Sequence, residues 1–257
     1  MSTVSATPEG PGIEVPTSAL AIVAHPDDAE FQCGATLASW ARRGCTVHHL
    51  VLTDGSKGTW DAGVDQAELT TRRKAEQLAA ARALGAGGEV VFLERVDGEL
   101  AVDRDTVSAV SDVIRRLRPS VVLGHDPWRR YRLHPDHGAA GRLAVEGIVA
   151  ARDPFFFPEQ LDRGVGPHRP DALLLFEPDV INHLEVVSQD DLAAKLSALE
   201  AHESQLETTH FYRLDTPGSR AEALEQFRAR ERARCTNVVG AAPGVLAEPF
   251  HLIVDQL

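Results

Sequence analysis

Two short stretches hold the residue types from which a metal-assisted hydrolase can be built. The first, Ala24-His25-Pro26-Asp27-Asp28-Ala29-Glu30, directly follows an apolar run. The second, His134-Pro135-Asp136-His137, lies more than 100 residues further on, after another apolar run and a loop. In each, a proline fixes its own φ and restricts the residue before it. A divalent ion needs ligands that converge, and a stiff loop loses little entropy on binding. Three apart at the start of a helix, His134 and His137 share a face. Asp136 can bond a ring nitrogen and set its tautomer. Two imidazoles and one carboxylate make a three-ligand site with positions left for water and substrate, as in catalytic zinc sites. Each stretch alone also has a plainer reading. Asp27 or Asp28 would cap a helix starting near Glu30, and the second motif would be a capped helix start with surface histidines.

The elements that must position these residues follow from patterning. Ala19–Ala24, Val47–Thr53, Val90–Leu93 and Val121–Gly124 are short apolar runs and read as buried strands. Between and after them, Phe31–Arg43, Gln66–Leu84, Thr106–Leu117 and Gly138–Arg152 read as helices, the first two ended by Gly44 and Gly85. Strand and helix alternating four times predict a single α/β domain, Rossmann-like, with a mostly parallel sheet and helices on both faces. Asp153–Pro170 reads as a loop. Ala172–Phe176 reads as a strand, Asp190–Glu203 and Ala221–Arg234 as helices, and Phe250–Val254 as a last strand. Residues 1–17, with three prolines among small polar residues, read as a flexible lead-in to a domain spanning 18–257. In a parallel sheet the carboxyl ends of the strands form the usual ligand crevice, and both motifs follow strands.

Composition narrows the function. The 257 residues carry a formal net charge of −12, which argues against nucleic acid as partner. No apolar run approaches the roughly 18 residues that span a bilayer. The first residues lack the basic and apolar regions of a secretory signal. Cys33, Cys45 and Cys235 are too few and scattered for a disulfide scaffold. The expectation is a cytoplasmic enzyme or binding domain, free to form a homo-oligomer.

The pairing of AHPDD with a distant HPDH resembles the zinc-dependent N-deacetylase family, the PIG-L or LmbE-like group. That family includes the deacetylases of N-acetylglucosaminyl-phosphatidylinositol and of the mycothiol and bacillithiol precursors. Leu52-Thr53-Asp54-Gly55, Arg73 with Glu76, Leu84-Gly85, Asp97-Gly98 and Ala201-His202-Glu203-Ser204-Gln205 support it across most of residues 19–257. The resemblance implies zinc, or Fe2+ or another divalent ion, on His25, Asp28 and His137. It implies Asp27 as general base, His134 as acid or electrostatic stabiliser, and Asp136 as the neighbour that tunes it. It puts Arg73 and Asp97 against sugar hydroxyls. The implied substrate is a small N-acetylated amino sugar or its glycoside. Many members place Glu directly after the second Asp, whereas here Ala29 intervenes before Glu30.

The chemistry stands without the family. Amide hydrolysis needs an activated water, support for an oxyanion and a proton for the departing amine, which a divalent metal and acid–base groups provide. Other readings of the same residues are an amidase for a larger amide, a non-haem Fe(II) oxygenase, and a sugar-binding domain without turnover. His48 and His49 read as structural, and His202 as packing or capping. His125, ending the fourth strand, is a possible pocket residue. Arg129, Arg130 and Arg132 form a solvated loop or a site for an anionic group. Phe155-Phe156-Phe157 packs or forms an apolar lip.

Overall fold

The structure, a computed structural model, describes residues 13–211, 218–254 and 256–257. Four strand–helix pairs come first: β1 (Ser18–Val23) and α1 (Asp28–Arg42), β2 (Thr46–Thr53) and α2 (Gln66–Ala83), β3 (Val90–Arg95) and α3 (Arg104–Leu117), β4 (Val121–His125) and α4 (Pro135–Arg152). The short α5 (Pro158–Asp162), β5 (Ala172–Phe176), β6 (His183–Val186) and α6 (Gln189–Glu200) follow, then tight turns over Glu203–His210, α7 (Arg220–Thr236) and β7 (Ala247–Ile253). One sheet runs β3-β2-β1-β4-β5-β7-β6. Its first five strands are parallel, and β7 pairs antiparallel with both β5 and β6.

The central strands are continuous apolar runs because both their faces are covered. Along β1, Ala19, Ala21 and Val23 point into the layer with α1, α2 and α6, while Leu20 and Ile22 point into the layer with α3 and α4. The strand order reverses between β1 and β4. A parallel sheet opens a crevice at such a switch point, and the two motifs leave from these two strands. Gly141 brings α4 close: a Cβ there would lie 2.5 Å from the His125 carbonyl oxygen.

Several expectations are corrected. Helix α1 begins at Asp28 rather than Phe31, and α4 at Pro135 rather than Gly138, so both motifs enter the first helical turn. Strand β6 has no apolar pattern, being His-Leu-Glu-Val, and exists because β7 offers it an edge. Strand β7 starts at Ala247, ahead of the expected Phe250. The segment read as loop, 153–170, contains α5. Its start is gripped by buried Arg115, which donates to the carbonyls of Ala150, Ala151, Asp153 and Phe156. The packed domain also begins before residue 18, since Ile13 and Val15 lie against the core; residues 1–12 of the expected lead-in lie outside the described residues. Among the described residues no helix is long and apolar enough to cross a membrane.

Candidate active site

His25 sits just past β1, Asp28 in the first turn of α1, His125 at the end of β4 and His137 in the first turn of α4. Ligand atoms of His25, Asp28 and His137 all lie within 4.8 Å of one another. Asp28 is the centre of the group. Its Oδ2 lies 3.3 Å from His25 Nδ1 and 3.4 Å from His125 Nε2, and its Oδ1 3.3 Å from His137 Nε2. The backbone N–H of His25 donates to the same carboxylate at 2.8 Å. His137 stacks between His125 and His134, with centroids 4.4 and 4.8 Å away. The two distant motifs thus face one crevice.

Capping does not account for them. Helices α2, α3, α6 and α7 are capped by the side chains of Asp65, Asp103, Ser188 and Ser219. Asp27 and His134 occupy the same positions at α1 and α4, yet neither side chain makes a cap bond. Both are withheld from the helix and left to the crevice.

Asp136 bonds His25, whereas the resemblance assigned it to His134. His25 Nε2 is 3.1 Å from Asp136 Oδ2, and the carboxylate also accepts from the N–H groups of Gly98 and Leu100 at 2.6 and 3.1 Å. Asp97 meets the same ring atom at 3.2 Å and accepts from the Lys57 N–H. A carboxylate behind a histidine orients the other ring nitrogen toward a metal. Against the cost of burial, Asp136, Asp28 and Asp97 hold the His25 imidazole well above its ordinary pKa. Burial pushes the Asp28 carboxyl up, but His137, His125 and His25 outweigh it and hold the group well below the usual range. Three nearly buried carboxylates around one imidazole are a surrounding that stabilises positive charge. The donor set and this charge balance fit a divalent cation on His25, Asp28 and His137.

Beside this group Asp27 adopts a left-handed backbone, φ 99°. Its side chain is buried 3.5 Å from Arg73 Nη2. Burial raises its carboxyl to about 6, with the Arg73 charge opposing and the Asp28 charge adding. Arg73 is itself buried, and donates to the carbonyls of Gly55 and Pro26 at 2.8 and 2.6 Å. It braces the loops under the crevice. His134 is on the rim, T-shaped to His25 at 4.6 Å. Partial burial and the charges of His25 and His137 lower its pKa. A cleft of about 540 Å3 opens here, lined by Asp27, Asp97, His134, His137, Arg230 and Arg234 among others, within the ordinary size range for a small-molecule site.

Other residues singled out in the sequence find defined places. Arg129 and Arg132 pair with Glu177 at 2.8 and 3.0 Å, and Arg130 with Asp179 at 3.1 Å. Each guanidinium thus has a carboxylate partner, although Arg129 and Arg132 share one, so the three arginines face two acids. Arg132 Nη1 donates to His125 Nδ1 at 3.2 Å, which leaves His125 Nε2 to carry the hydrogen toward Asp28. His48 accepts from the Glu89 N–H, a structural bond, but His49 on the opposite strand face turns toward Glu30. Phe155 is exposed and Phe157 packs in the core; neither lines the cleft. His125 carried only a weak sequence signal: its place at a strand end.

The family model for GlcNAc-PI de-N-acetylase matches residues 20–148, which contain both motifs. The chain belongs to the PIG-L de-N-acetylase family. Among relatives of this PIG-L protein, the diacetylchitobiose deacetylase of Thermococcus kodakarensis is 38% identical over 186 residues, 72% of this chain and 69% of that one. The 4-oxalmesaconate hydratase of Pseudomonas putida is 32% identical over 166 residues, 63% of this chain and 61% of that one. The structure of N,N'-diacetylchitobiose deacetylase from Pyrococcus horikoshii superposes with a TM-score of 0.80 at 28% identity, covering 93% of this chain and 84% of that one.

Proposed function

We propose that this PIG-L family member is a divalent-metal-dependent N-deacetylase that releases acetate from an N-acetylglucosamine-type sugar or glycoside. The observation that carries the reading is the convergence of His25, Asp28 and His137 at the switch point, with Asp27 buried beside them. The two deacetylase relatives support the substrate class. A cation held by His25, Asp28 and His137 would supply Lewis acidity, acidifying water and polarising the amide carbonyl, and zinc suits this donor set. Asp27 takes the proton from the attacking water: its raised pKa makes it a stronger base than an exposed aspartate while leaving it ionised at neutral pH. It then holds that proton next to the departing nitrogen. His134, neutral at rest because its pKa is lowered, stabilises the oxyanion by hydrogen bonding. The acid role implied by the resemblance would require it to gain a proton during turnover. Asp136 orients His25, and Asp97 stands at the cleft wall within reach of a sugar hydroxyl. We place the enzyme in the cytoplasm on its three free, buried cysteines.

A second reading is favoured by the hydratase relative: the same centre adding water to an unsaturated acid. One experiment separates them. The zinc-loaded protein is offered N-acetylglucosamine, diacetylchitobiose and an N-acetylglucosaminide, with acetate and free amine quantified, and in parallel an unsaturated dicarboxylate followed by loss of enoate absorbance. Acetate with stoichiometric amine supports deacetylation. Enoate loss without acetate overturns it, and release of a longer acid from N-acyl analogues alone would redirect the reading to an amidase.

A further inference from the structure

One face of α2 carries Arg73, Glu76 and Gln77, spaced i, i+3 and i+4, all buried. Together they reach three loops of the site, two of them meeting on the loop between β1 and α1. Arg73 holds the carbonyls of Pro26 and Gly55. Glu76 accepts from the N–H and Oγ of Ser204 at 2.8 and 2.6 Å, which ties the Ala201–Gln205 motif to the helix. Gln77 reaches the base itself: its Oε1 accepts from the backbone N–H of Asp27 at 3.0 Å, and its Nε2 donates to Glu30 Oε1 at 2.7 Å. The other Glu30 oxygen faces His202 Nε2 at 3.4 Å. Gln77, Glu30 and His202 are completely buried.

Asp27 needs such a hold. Its φ of 99° lies where residues other than glycine rarely go, and such a conformation persists only when the surroundings over-determine it. The Gln77 amide has one workable orientation here: flipped, it would set N–H against N–H at Asp27 and oxygen against oxygen at Glu30. Burying an amide and a carboxylate together is costly unless both are bonded, and an apolar pair would fill the same space. Their bonds lead to the Asp27 amide at one end and to His202 at the other. We propose that Gln77 and Glu30 are positioning residues for Asp27, fixing the left-handed turn that aims its carboxylate into the cleft. The inference rests on the deacetylase reading above.

The test compares the zinc-loaded chain with Gln77→Met, Glu30→Gln, Gln77→Glu and the double exchange Glu30→Gln/Gln77→Glu. The double exchange swaps amide and carboxylate. Glu at 77 accepts from the Asp27 N–H, and Gln at 30 donates to it while its oxygen still faces His202. Small misplacement of a catalytic group can cost about 100-fold in rate. We expect Gln77→Met and Glu30→Gln to lower kcat for acetate release by about tenfold or more, with KM and bound zinc little changed; Gln77→Met also lowers the melting temperature, because it leaves the buried Glu30 carboxylate and the Asp27 N–H without their Gln77 bonds. The double exchange should regain most of the loss. Hydrogen exchange at the Asp27 amide, read by mass spectrometry on the 24–31 peptide, should quicken by about tenfold in Gln77→Met and slow again in the double exchange. An unchanged kcat in Gln77→Met overturns the proposal, as does a loss that the exchange leaves unrepaired while zinc and fold are intact. Should Gln77→Met fail to fold, the near-isosteric Gln77→Glu and the double exchange carry the same comparison. If the unaltered chain releases no amine from any acetamido sugar, the deacetylase reading has failed. Hydrogen exchange then still decides the geometry, and unchanged protection at Asp27 in Gln77→Met refutes it.

Discussion

Three carboxylates close on the His25 ring, and each has a different task because each touches something different. Asp28 faces the other imidazoles, Asp136 is saturated by His25 and two backbone N–H groups, and Asp97 borders the cleft. Asp27, beside them, has Arg73 at 3.5 Å and His210 at 4.0 Å as its ion-pair neighbours among the described residues. Asp27→Asn should therefore keep its zinc and lose about 100-fold or more in kcat, checked by metal analysis alongside acetate-release kinetics. Asp136→Asn puts an amide N–H against a donor and should weaken zinc binding by about 10–100-fold, read by competition with a chelating dye. Glu177 gives a pH test. Burial pushes its carboxyl up, but the neighbouring His125 and the Arg132 and Arg129 charges outweigh this and hold it at about 2, against an ordinary 4.5. A depressed folded-state pKa contributes stability above the unfolded value, and that contribution is lost as pH falls through the folded one. Urea melts should show wild type more stable than Glu177→Gln near neutrality, with the gap closing between 4.5 and about 2. An equal gap throughout would show that charge is not its source. Residue type and spacing singled out the candidate ligands that the fold brings together, whereas Asp27 as base came from the family resemblance and remains part of the proposal. The partner of Asp136 was not readable there, because Gly98 and Leu100 arrive from another strand's loop.

Helix α4 delivers His137 only because it can approach the end of β4. Adding one methyl in Gly141→Ala would press on the His125 carbonyl, and α4 cannot yield without moving His137. The expected outcome is a loss of about 1–3 kcal/mol in urea unfolding together with weaker zinc binding. Full zinc affinity at reduced stability would show that the helix shifts without carrying the site. The parallel strands and major helices were legible because apolar period and helix exits mark them locally. Strand β6 was not: a strand of His, Leu, Glu and Val is made by its neighbour's unpaired edge, not by its own pattern. The helical starts at Asp28 and Pro135 were also misplaced, since the motif residues there resemble loop until the helix is seen to absorb them.

The crevice exists because the chain reverses its direction of strand addition between β1 and β4, leaving two loops side by side with no strand connection across them. A cation bound there ties the ends of β1 and β4 together in the native state alone, so its removal should lower stability. At a free concentration about 1,000 times the Kd, linkage is worth about 4 kcal/mol. Thermal melts with EDTA and with added zinc should therefore differ by several degrees, and His137→Ala should abolish the difference. Coincident melts would contradict a metal site at this place. Local order was settled along the chain: which runs are strands, which are helices, and which few residues have donors suited to a metal. These depend on neighbours within a turn or a pleat, so residue types and their spacing suffice. The partners were settled only by folding. That Asp136 serves His25, that Arg132 sets the His125 tautomer, and that α2 grips the base loop all depend on atoms more than five residues apart meeting in a desolvated space, where one hydrogen bond excludes another.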